Sequence, residues 1–147
     1  MNAPNPQGLP GQLILAGALP FIAGTLALIA GVRFLPLLGD ISHAVAIYAL
    51  VIATFLTGIH WGQQLSLGSM PINLFISSNI IAVLIWLSWL ILPVTGFLFF
   101  LIPVLAVMLI IDRSLCMAKV ITDSYLRTRM VITAIVMLCL IVTAVLS

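Results

Sequence analysis

The residues able to do chemistry in this chain are few and gather in a handful of places. His60, Gln63 and Gln64 follow one long apolar run, and Asn73, Ser77, Ser78 and Asn79 open the next. Asp112 and Arg113 close a third run, and Arg127 and Arg129 open the last. Such a set offers one titratable imidazole, one carboxylate and several guanidinium groups. That is enough for an ion pair, a proton relay or a ligand recess. It is too little for most membrane catalysis. An intramembrane aspartyl protease needs two carboxylates sharing a proton, and a zinc protease needs HExxH, whereas the chain has no glutamate. His43 and His60 stand about 25 Å apart if they share a helix at 1.5 Å per residue, which removes bis-histidine haem ligation. His60 and Trp61 are neighbours and point about 100° apart, so they cannot both line one pore as a proton gate. Cys116 and Cys139 fit neither a disulfide framework nor metal-ligand spacing, and a site made of His60, Cys116 and Asp112 has no motif behind it. Neither catalysis nor a cofactor is expected.

The elements that must position these groups are set by composition. Of 147 residues, 64% are hydrophobic and only 5% charged, and mean hydropathy is +1.39. A soluble domain carries roughly 25% charged residues, so this chain cannot cover a water-facing surface. A soluble globule, a disordered chain and a nucleic-acid binder are all excluded. A hydrocarbon core about 30 Å thick takes about 20 apolar residues per helix. Five stretches qualify: about 12–32, 42–60, 72–92, 96–111 and 125 to the C-terminus. None alternates as membrane β-strands do. The expected fold is all-α, a polytopic transmembrane helix bundle of five spans in one domain, 12–147, after a mobile tail, 1–11. The tail has no basic residue and so lacks the n-region of a secretory signal. The turn at 92–96 is short enough to make spans three and four a tight helical hairpin, and Pro103 marks span four for a kink.

Lysine and arginine in the short connections set orientation. Arg113, Lys119, Arg127 and Arg129 fall on one side and Arg33 on the other, which puts the N-terminus inside and the C-terminus outside. The polar residues at membrane depth then collect near the inner leaflet. Asp112 is expected to pair with Arg113, Arg127 or Arg129, the alternative being a proton or cation role. His60 is expected to bond a neighbouring carbonyl or Asn79. His60, Gln64, Asn79, Asp112, Arg113, Arg127 and Arg129 together make a candidate inner-side recess. Arg127 and Arg129, two apart, cannot face one target. Helix association in lipid rests on small residues that let backbones approach. In the second span Ser42, Ala46, Ala49, Ala53, Thr57, His60 and Gln64 form one stripe at steps of three and four. Gly17, Pro20, Gly24, Ala27 and Gly31 form another in the first span. The two faces are expected to pack on each other or on a shared neighbour.

GALPF at 17–21, YALVIATFLTGIHWG at 48–62, Trp86 in the Ser/Asn-opened span, IDRSL at 111–115 and YLRTRMVIT at 125–133 together resemble the transmembrane protein 69 family. The resemblance covers roughly residues 12–140, with HWG at 60–62 and Asp112-Arg113 as its sharpest parts. Where members of that family often carry a proline in the third span, this chain has Ile80 and Ile81. The resemblance implies a small polytopic membrane protein of bacterial or mitochondrial type, in an energy-transducing membrane. The expected location is the bacterial cytoplasmic (inner) membrane, and the expected partners are membrane lipids, other membrane proteins or a second copy of the chain. Two functions stand against each other. One is a non-catalytic accessory, assembly or regulatory helper. The other is a small oligomeric proton, ion or solute pathway, which needs polar groups through both leaflets, and the outer half offers few.

Overall fold

A computed structural model describes residues 9–67 and 72–147. The tail ahead of residue 9 and the loop at 68–71 lie outside the described residues. Five helices run in order: α1 Leu9–Ile29, α2 Ile41–Leu67, α3 Leu74–Ile91, α4 Val94–Met117 and α5 Asp123–Leu146. Four of them, α2 to α5, are long and apolar enough to cross a membrane, and α1 adds the shorter apolar stretch Ala16–Ile29. The polar cluster after His60 was expected to end α2, yet the helix continues to Leu67. Trp61-Gly62-Gln63-Gln64 contains no proline, and a single glycine costs a helix only about 1 kcal/mol. Likewise α4 runs past Ile111 through Asp112 and Arg113 to Met117. Polar composition marked the membrane boundary there, not the helix end. Pro103 lies inside α4 and Pro20 inside α1, and neither breaks its helix.

The ends of the helices are closed by specific bonds. Gly31, at φ 82, ends α1 with Val32 N–H donating to the Ala27 carbonyl and Gly31 N–H to that of Leu28. That pattern needs a left-handed residue after the last turn, so Gly31 terminates α1 and does not belong to a packing stripe. A two-residue antiparallel ladder follows, β1 Phe34–Leu35 with β2 Gly39–Asp40, which the all-α expectation omitted. Asp40 then caps α2, its carboxylate accepting from His43 N–H at 2.8 Å. Asn73 caps α3 by accepting from Ile76 N–H, and Gln64 reaches across from α2 to accept from Leu74 N–H at 2.9 Å. Each of these acceptors satisfies a donor that a helix start leaves free.

Two residues, Leu92 and Pro93, separate α3 from α4. Even so, α3 lies mainly along α2, α4 mainly along α5, and α1 along α5 and α2. The α2 stripe is buried at Ser42, Ala46, Ala49, Ala53, Thr57 and His60, and half-buried at its last member, Gln64. The α1 stripe is not. Pro20 and Gly31 are exposed, and Gly17, Gly24 and Ala27 are half-buried. The buried face of α1 is Ala18, Phe21, Thr25 and Leu28. Thr25 and Thr143 share a hydrogen bond of 3.2 Å between hydroxyls, joining α1 to α5 near their C-terminal ends. Gly24 approaches α2 beside its stripe, not on it: an added Cβ would strike the Val45 side chain. Elsewhere Pro20, Gly24 and Ala27 line an open groove of about 600 Å³ against α2 and the β1–β2 turn.

Candidate functional site

Three helices bring ionisable side chains to one buried point. α2 supplies His60, 20 residues into its length, α4 supplies Asp112 and α5 supplies Arg129, one and a half turns from its start. His60 Nε2 lies 2.8 Å from Asp112 Oδ1. Arg129 Nε donates to Asp112 Oδ2 at 3.0 Å. Exposures are 2% for His60, 3% for Asp112 and 8% for Arg129, so all three are buried. A carboxylate at this depth is costly unless paired and hydrogen-bonded, and here each oxygen has its own donor. An ionised carboxylate only accepts, so His60 donates through Nε2. Its Nδ1 is buried with no hydrogen-bond partner among the described residues.

The seven candidate recess residues thus divide. His60, Asp112 and Arg129 meet. Arg129 is the arginine that pairs with Asp112, and Asp112 rather than Asn79 or a carbonyl is the partner of His60. Asn79 is exposed and turns its amide back to the Phe75 carbonyl of its own helix at 2.8 Å. Arg113 and Arg127 are exposed as well. Arg113 is next to Asp112 in sequence, and that adjacency sends it to another face of α4 at 100° per residue. Gln64 accepts from Leu74 N–H at the start of α3. Close by, Cys116 Sγ donates to Asp123 Oδ1 at 3.2 Å, across the turn from α4 to α5. In that turn Lys119 takes a left-handed conformation at φ 59, the place glycine more often fills.

Beside the cluster is a feature that sequence reasoning did not find. A cleft of about 170 Å³ opens between α1, α2, α4 and α5, walled by apolar residues including Phe21, Leu56, Leu105 and Val136. Its polar residues are Tyr125, Arg129 and Thr133. Tyr125 and Arg129 are four apart on α5, the spacing that puts two side chains on one helix face, and that spacing was the available signal. The apolar walls come from four separate helices and left none. Among the described residues no group of three or more His, Cys, Asp or Glu side chains is placed to hold a metal ion.

The family described as Protein of unknown function (DUF3429) matches residues 10–145, which is consistent with the resemblance carried by HWG and Asp112-Arg113. No curated protein and no solved structure matches the chain.

Proposed function

We propose that this chain, which belongs to the family described as Protein of unknown function (DUF3429), is a non-catalytic integral membrane protein that helps other membrane proteins assemble or work. The observation that supports this reading is the His60–Asp112–Arg129 cluster. Both carboxylate oxygens of Asp112 are engaged, one by His60 and one by Arg129, and the three residues are buried together. The arrangement fixes α2, α4 and α5 relative to each other, as a scaffold requires. Large apolar side chains face outward along every helix, among them Phe55, Trp86, Ile110 and Leu138, and suit lipid or the flank of another membrane helix. In this reading the N-terminus is inside a bacterial cytoplasmic membrane, α1 is the fifth span, and the C-terminus is outside.

A proton or ion pathway is the second reading, favoured by the buried ionisable chain itself. It is the weaker of the two. Between the cluster and the Thr25–Thr143 pair near the other membrane face, the buried face of α4 is apolar at Leu98, Leu101, Leu105 and Met108, and a conducting route needs polar groups or water there. In-membrane crosslinking of the tagged protein in native membranes, followed by pull-down, tests the helper reading. A reproducible membrane-protein partner is expected, and recovery of the chain alone with lipid would overturn it. Proton flux in liposomes that His60→Ala abolishes would favour the pathway instead.

A further inference from the structure

The cleft beside Arg129 has the size, depth and donors of a site for a particular kind of lipid-soluble molecule. Its volume is about 170 Å³. An apolar cavity of about 150 Å³ is known to take benzene, so this one has room for a single six-membered ring. Arg129 is six residues into α5, about 9 Å from the helix start at 1.5 Å per residue. A ring reaches that depth more readily than a phosphate, which belongs at the bilayer surface. The chemistry at the polar part narrows the choice further. Arg129 donates through Nε to Asp112, and its side chain, one-tenth exposed, lines the cleft, where the terminal guanidinium N–H groups are available as donors. Tyr125 lines the same end. Both offer donors to an acceptor. An anionic head would place a second negative charge beside the Asp112 carboxylate, whereas a neutral carbonyl accepts from both donors without that repulsion. Phe55, largely exposed on the outer surface of α2, forms part of the rim, so an apolar tail has a way out into the bilayer.

We propose that this cleft binds the carbonyl-bearing ring of a quinone-type lipid, with Arg129 and Tyr125 donating to a ring carbonyl and the tail leaving past Phe55. The inference deepens the helper reading by naming a ligand, and the two fail separately, because crosslinked partners and ligand labelling are independent measurements. The test uses the full-length protein in phosphatidylcholine nanodiscs and a photoreactive benzoquinone carrying a decyl tail. Saturable labelling is expected on the residues around Tyr125–Val136. Gly17→Leu is the decisive variant. Gly17 lines the cleft and a Cβ there meets nothing within 4 Å, so a larger side chain starts from open space at the cleft wall and the helix gains a better former. It is expected to weaken labelling about tenfold or more while thermal stability holds. Tyr125→Phe, which removes only a hydroxyl, is expected to weaken it about fivefold. Absence of saturable labelling, equal labelling of wild type and Gly17→Leu, or displacement of the probe by decanol as effectively as by unlabelled decyl-benzoquinone overturns the proposal. The last result would assign the cleft to an acyl chain.

Discussion

His60 gives Asp112 one ring nitrogen and keeps the other buried without a partner, and this asymmetry says what holds the cluster together. With Nε2 donating to Asp112, Nδ1 is a buried polar atom with no partner among the described residues, which costs less than an unpaired charge. The pairing of Asp112 with Arg129 is the part whose loss strands a charge. Removing one partner of a buried pair strands the other, at about 3–5 kcal/mol, whereas replacing both by apolar groups of similar volume is often neutral. Asp112→Ala and Arg129→Met should therefore each lower the melting temperature in detergent substantially. The double variant Asp112→Leu with Arg129→Met, which strands no charge, should lose less than Arg129→Met alone, with the remaining deficit set by His60 Nε2 left without its acceptor. Equal melting of wild type and both single variants would mean that the cluster does not staple the bundle. His60→Phe should cost less than either single change, because it strands no charge. Residue type and depth in the sequence sufficed to pair Asp112 with an arginine. Which arginine, and the choice of Asp112 for His60, depended on helix phase: Arg127 and Arg129 differ by about 200° around α5, and only contact with α4 decides between them.

At the scale of elements, the apolar runs located every helix, while two boundaries moved because a polar residue ends a membrane core and not a helix. α2 has 27 residues, about 40 Å at 1.5 Å per residue, so its last turns carry Gln63 and Gln64 beyond the hydrocarbon. The short ladder at Phe34–Asp40 was illegible for another reason: two residues per strand leave no alternation to read. The packing stripe was legible in α2 and misleading in α1. Small residues at helical spacing permit close approach without requiring it, and α1 turns Phe21 and Thr25 inward instead. Two substitutions separate the cases. Ala53→Leu puts bulk on a fully buried face and should cost about 1–3 kcal/mol, more than Ile52→Leu on a half-buried one. Gly24→Ala should destabilise through Val45, and Val45→Ala should restore it, because the added methyl meets that one side chain most closely. Thermal unfolding of the four variants checks both, and a Gly24→Ala protein that melts with wild type would remove the α1–α2 close approach.

For the whole molecule the contacts order the helix ends into two faces. One holds the paired Thr25 and Thr143, the His43 and Trp89 rings at 5.4 Å and the Trp89 and Phe97 rings at 5.0 Å. The other holds Gln64 on Leu74, the Trp61 and Phe75 rings at 5.1 Å, Cys116 on Asp123, and the buried ion pairs. Successive helices therefore alternate in direction, and α1 and α5 run the same way. The charges sort accordingly. Arg113, Lys119 and Arg127 are exposed at the second face, and Arg33 is exposed at the first. Buried Arg129 is spent on Asp112 and contributes little to orientation, so the effective bias is three exposed cations against one. Lysine and arginine in short loops are retained on the cytoplasmic side, and three against one still points the second face inward. A reporter fused after Lys119 should accordingly read cytoplasmic and one fused after Ser147 should read the opposite compartment. Moving the bias tests the cause: changing Arg113, Lys119 and Arg127 together to glutamine should mix or invert the two readouts, while Arg129→Gln should lower stability without inverting them. Both reporters reading cytoplasmic in the wild-type chain would mean that an even number of helices crosses, with α1 the first to be reassigned, since its described apolar stretch is the shortest.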